Sequence, residues 1–115
     1  MFQSDAQISQ ACRLLLRRIG REDLWTPDGP SAVAVEYLEQ NGGPLSSGER
    51  VMLLACFAFW NGDARLSFAD LISSLDVDHA EAVCGLLLAS KAGGSLLDAW
   101  MRQAGADAPS RPRPV

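Results

Sequence analysis

The sequence predicts an all-α fold: a compact single-domain bundle of five or six short helices around a central apolar helix at about 49–60. Three observations carry this. Helix-start signals recur along the chain, as Ser4-x-x-Gln7, Ser46-x-x-Glu49, Ser67-x-x-Asp70, Asp78-x-x-Glu81 and Ser95-x-x-Asp98. In each, the first side chain can accept from an amide left unpaired at a helix start, and the second can reach back. Stop signals alternate with them at Gly20, Asn41-Gly42, Asn61-Gly62 and Gly93-Gly94, where the left-handed conformation ends a helix. No segment alternates apolar and polar residues with the β-branched content of a strand.

The first helix, about 5–19, carries Ile8, Cys12, Leu15 and Ile19 on one stripe, with Arg13 and Arg17 opposite. A loop from Gly20 to Gly29 follows and holds Leu24-Trp25-Thr26-Pro27. The second helix, about 30–41, has Pro30 in its first turn, where a missing N–H costs nothing.

The third helix contains a run with no polar side chain, Val51-Met52-Leu53-Leu54-Ala55-Cys56-Phe57-Ala58-Phe59-Trp60. Such a helix has no solvent side and must be covered all round. Its small sector, Val51, Ala55 and Ala58, invites close approach of another helix, while Leu53, Phe57 and Trp60 fill the opposite side. A short fourth helix, about 67–74, leads into a fifth at about 79–91 that is again nearly all apolar. Gly85 in its middle costs about 1 kcal/mol relative to alanine, which points to a close backbone contact there. The two apolar helices are expected to pack along their small faces. A last helix, about 95–104, offers Leu96, Leu97, Trp100 and Met101. The domain is expected to span 1–105, with a disordered Pro/Arg-containing tail at 106–115.

Charge and composition narrow the function. The net charge is −4, which disfavours nucleic-acid partners. Apolar residues and glycine together reach about 56% of the chain, above the roughly 45–50% of ordinary domains. So short a chain has few elements to cover two apolar helices, and a symmetric homodimer is expected. Cys12, Cys56 and Cys84 show no metal-type spacing and read as small buried hydrophobes of a reducing cytosol. No basic region precedes an apolar core at the N-terminus, and no apolar run reaches the roughly 20 residues of a membrane span. The chain reads as cytoplasmic, without a membrane.

Catalytic chemistry finds little footing. The single histidine, His79, falls in the first turn of a helix beside Asp78 and Glu81. There is no nucleophile elbow, phosphate-cradling loop or metal-ligand pair at helical spacing. No catalytic, cofactor or metal residue is therefore assigned. Residues 66–78 have the cadence of a helix-turn-helix unit, but the would-be reading helix begins Asp78-His79-Ala80-Glu81, carboxylates where phosphates would lie.

Two features point to a partner surface. Arg13, Arg17, Arg18 and Arg21 lie within nine positions of an otherwise acidic chain. They read either as a solvated face or as a patch for an acidic partner. Trp25 in the loop and Trp100 on the last helix are the aromatic candidates, since tryptophan is enriched in interface hot spots; Trp60 closes an apolar helix and reads as core. The function expected is a non-enzymatic protein-interaction module: an adaptor, regulator or inhibitor that binds another protein. The alternative is a nucleic-acid-associated regulator built on the 67–91 unit and the arginine patch.

Overall fold

A computed structural model describes residues 2–62 and 66–107 and contains six α-helices among them. Helix α1, Asp5–Arg17, starts where the Ser4 hydroxyl accepts from the Gln7 amide at 3.2 Å. Its inner stripe, Ala11, Cys12, Leu15 and Leu16, is fully buried. A one-turn 3-10 helix, Glu22–Leu24, then delivers the chain to two short antiparallel strands, β1 (Trp25–Thr26) and β2 (Gly29–Pro30).

This hairpin replaces the expected loop and shortens the second helix. Trp25 pairs with Pro30 and Thr26 with Gly29. The Thr26 hydroxyl donates to the Gly29 carbonyl at 2.9 Å and accepts from the Asp28 amide at 3.1 Å, closing the Pro27-Asp28 turn. Pro30 is thereby held in the hairpin, so α2 runs Ala32–Glu39 and is capped by Ser31, not started by Pro30. Gly29 has φ +136° and lies under the Trp60 ring; a Cβ there would sit 3.0 Å from it. Only glycine suits both demands.

Helix α3, Ser47–Trp60, opens on a full capping box: Ser46 Oγ accepts from the Glu49 amide at 3.2 Å and Glu49 accepts from the Ser46 amide at 3.0 Å. It is the central helix the sequence predicts. Val51, Met52, Leu53, Ala55, Cys56 and Phe57 are all buried. Its main partner is α1. Where these helices cross, Cys12 Sγ lies 3.5 Å from the Cys56 carbonyl and Cys56 Sγ 3.6 Å from the Cys12 carbonyl. Burial pushes the Cys56 thiol well above its ordinary pKa, aided by Cys12, so it is a neutral packing group.

Helix α4, Phe68–Ser74, begins on the Ser67/Asp70 capping box. Two residues later α5, Val77–Ala92, begins. Its N-cap is Asp76, which accepts from the His79 amide at 2.8 Å, and not the expected Asp78. Helix α6, Gly94–Asp107, starts one residue before Ser95, so that serine caps nothing. The helix continues through Gly105 to Asp107, two residues beyond the expected domain end; residues 108–115 of the expected tail lie outside the described residues.

The largest departure concerns how α5 is used. It packs chiefly on α6, not on α3. Gly85, expected to mark a close contact with another backbone, instead faces the Trp100 side chain: a Cβ at Gly85 would stand 3.4 Å from the indole Nε1. Between α3 and α5 a groove remains.

Candidate docking surface

Helix α4 has apolar side chains on both faces and only one face to bury. Leu71 and Leu75 lean on the core, whereas Phe68 and Ile72, one turn apart, are 80% and 82% exposed. None of the residues of α4 is buried. Val77, at the start of α5, is 78% exposed, and Leu87 and Leu88 are 58% and 72% exposed. Leu86 is meanwhile fully buried, so within one turn α5 presents leucines both to the core and to solvent.

Of these outward residues, Phe68 and Leu87 border a hollow of about 270 Å³. Ala55 and Ala58 of α3 form its floor; Val83, Cys84 and Leu87 form one wall, and Leu66, Phe68 and Leu71 the other. The small sector of α3, expected to receive α5 closely, is the base of an open groove. Cys84 is correspondingly exposed, unlike the buried thiol expected for it. Cys12 and Cys56 are buried.

The arginine cluster is largely engaged within the fold. Arg13 donates to the Trp25 carbonyl at 2.7 Å and to Glu22 at 2.8 Å, and Arg17 donates to the other Glu22 oxygen. Arg21 pairs with Asp23 at 3.1 Å and lies 5.8 Å from the centre of the Tyr37 ring. The Asp23 hydrogen bond raises the Arg21 pKa further, and Arg21 in turn lowers that of Asp23. The acids that follow the cluster in sequence thus answer three of its four charges. Arg18 reaches across to α5, where its Nη2 lies 3.5 Å from the Asp78 carbonyl. This leaves less free positive charge for a phosphate backbone than the sequence count suggests.

The two candidate tryptophans separate. Trp25 is 1% exposed and sits in the core, its ring edge-on to Phe57 at 5.2 Å and to Trp60 at 5.9 Å. The hairpin carries it inward, so the partner-surface role expected for a loop tryptophan has no exposed ring to use. Trp60 is partly buried against the same core. Trp100 is half-buried beside Gly85 in a cleft of about 510 Å³, with Arg18, Asp78, Glu81 and Gln103 around it. It remains accessible, and Arg18 is the one arginine of the cluster beside it.

His79 belongs to the cap of α5, its Nδ1 3.1 Å from Asp76 Oδ1. Among the described residues no three His, Cys, Asp or Glu side chains gather in a way that could hold a metal ion, and no helix is long and apolar enough to cross a membrane. The chain matches no known family model, no curated protein and no solved structure.

The surface residues that stand out here, Phe68, Ile72, Val77, Leu87 and Leu88, were not among the candidates named from sequence. A signal existed: the 67–74 helix places apolar residues at 68 and 72 as well as at 71 and 75. That is more apolar surface than a two-turn helix can hide.

Proposed function

We propose that this chain is a small non-enzymatic protein-interaction module, an adaptor, regulator or inhibitor that docks another protein chain on the exposed apolar face of α4 and α5. The observation that carries the reading is Phe68, Ile72, Val77 and Leu88, each more than 70% exposed on two consecutive helices. Scattered surface leucines need no explanation, but several large apolar side chains exposed on two consecutive helices, with Phe68 and Leu87 lining one groove, point to an interaction site. The surplus of apolar residues in the composition points the same way. The docked chain is either a second copy, as the composition suggests, or a different protein.

A photo-crosslinking amino acid placed at position 72 of the full chain tests this. It should give discrete adducts in its native cell extract that disappear with Phe68→Gln, while the same group at the exposed position 10 gives none. A chain that forms no adduct at 72, sediments as a monomer and turns over a substrate would overturn the reading.

A further inference from the structure

Between the groove on one side and the Trp100 cleft on the other, α5 presents a ridge to solvent. Val77, Glu81, Cys84, Leu88 and Lys91 are all exposed. Their spacing alternates between four and three residues, the repeat that gives a helix one unbroken seam for a second helix. At about 100° per residue the five share a stripe roughly 80° wide. Glu81 marks its cleft edge, since it also lines the cleft. Lys91 marks its groove edge, where it shares a hollow with Leu87. Cys84 and Leu88 lie between them.

The charges of this seam make it complementary to itself. From Ala80 to Ala92 only Glu81 and Lys91 are charged, with opposite signs at opposite ends. Two parallel copies would set Glu81 against Glu81 and Lys91 against Lys91. An antiparallel two-fold reverses one seam. With its axis level with Leu86, Glu81 comes level with the partner's Lys91, and Cys84 with the partner's Leu88. Symmetry repeats each layer, so two apolar layers lie between two of mixed charge. A two-fold axis perpendicular to the helices keeps each side of the seam with itself. Leu87 therefore meets its own mate on the groove side. Asp76 and Asp78 fall outside the overlap, and the two helix dipoles oppose one another favourably.

We propose that the α5 ridge pairs with the same ridge of a second copy of this chain, antiparallel, with Glu81 level with Lys91 and Cys84 level with Leu88. This rests on the docking reading above and names the occupant of α5. The overlap is roughly 20 Å long, a small interface, so the pair is weak and the chain is monomeric at low micromolar concentration.

The test is sedimentation equilibrium of the full chain from about 5 to 500 micromolar, a range that brackets a weak pair. A monomer–dimer equilibrium should appear. Glu81→Lys alone and Lys91→Glu alone should each weaken it about 10-fold, because each sets like charges together in two layers. Both changes in one chain should restore it to within about 3-fold of the natural chain, since the layers are then again of mixed charge. Leu88→Gln should weaken it about 10-fold through the apolar layers. All three positions are exposed, so the melting temperature at low micromolar concentration should not move. A dimer indifferent to Leu88→Gln and to both single charge changes would be built on another surface and would overturn the proposal. Losses in the single variants without recovery in the double variant would equally overturn it, as a parallel pair gains nothing from the exchange. A chain that stays monomeric throughout would overturn it too. In that case adducts of a different protein at position 72 would leave the docking reading standing, and their absence would remove both.

Discussion

Helices α3 and α5 are close to equivalent as sequences, each a long apolar run behind a capped start, and the fold treats them differently. In α3 six residues are buried, and the helix packs on α1, α4 and α2, with Trp25 of the hairpin against Phe57. In α5 four are buried, and Leu87 and Leu88 face outward. The difference lies in the neighbours. On one side α3 meets a thirteen-residue helix and a tryptophan brought inward by a two-stranded turn. On its outer side α5 faces the groove, and across it stand only the seven residues of α4, which pack on α3 and do not cover α5. An apolar helix is thus a demand for cover, and the length of the adjoining elements decides whether the chain can meet that demand itself.

The sharpest way to break this comparison is to remove the cover of α3. Trp25→Ala or Phe57→Ala should cost about 3–5 kcal/mol in denaturant unfolding. A loss under about 1 kcal/mol would mean that the aromatic cluster is not the closed half of the fold. Trp25→Phe should cost much less. It keeps a ring, and the Trp25 Nε1 hydrogen is buried with no hydrogen-bond partner among the described residues, so losing it forfeits no bond.

Within α5 the two sides can be set against each other. Leu86→Ala, at a fully buried position, should lose about 2–5 kcal/mol. Leu88→Ala, two positions on and 72% exposed, should change stability by no more than about 0.5 kcal/mol. Equal losses would show that α5 is covered on both sides in solution. Between these extremes, Ser46→Ala removes the hydroxyl that starts α3 and should cost about 1 kcal/mol, read as a shifted denaturation midpoint.

Acid provides a finer separation. The Asp76 carboxyl is held below the usual aspartate range chiefly by the His79 backbone N–H, and Asp23 chiefly by the Arg21 side chain. Their folded values lie below their unfolded ones. The stabilisation is therefore complete above the unfolded value of about 3.9 and is lost as pH falls through the folded values. The melting-temperature gap between the natural chain and Asp76→Ala should be constant near neutral pH and close below about pH 4. A gap that widens in acid would mean that Asp76 does not anchor the start of α5. The smallest effect is expected from Ile72→Gln, within about 0.5 kcal/mol in stability, although it should weaken docking.

Much of the helical framework was legible because capping is local. Ser4, Ser46 and Ser67 each meet the amide three residues on, a distance visible in sequence. At the start of α5 the same rule was ambiguous, since Asp76 and Asp78 each precede a helix by the right interval. The extended backbone of Leu75 and Asp76 places the start at the earlier one. The hairpin was signalled by Pro27-Asp28-Gly29, a turn sequence with a mechanism, but its strands are two residues long and leave no period to detect. The inward turn of Trp25 and the choice of α6 over α3 by α5 depend on contacts distant in sequence. No local pattern encodes them, and so the exposed apolar side chains lie on α4 and α5 while the loop tryptophan is buried.

The three tryptophans occupy three settings: Trp25 in the core, Trp60 at its edge and Trp100 in the open cleft beside Gly85. An indole shielded from water emits further to the blue than one that water can reach, and a dissolved quencher extinguishes only the second kind. The molecule therefore carries its own optical labels, one for each half. Iodide should dim the red component from Trp100 while sparing the blue component from Trp25. Loosening of α6 from α5 can then be watched separately from opening of the α1–α3 core, with no dye attached.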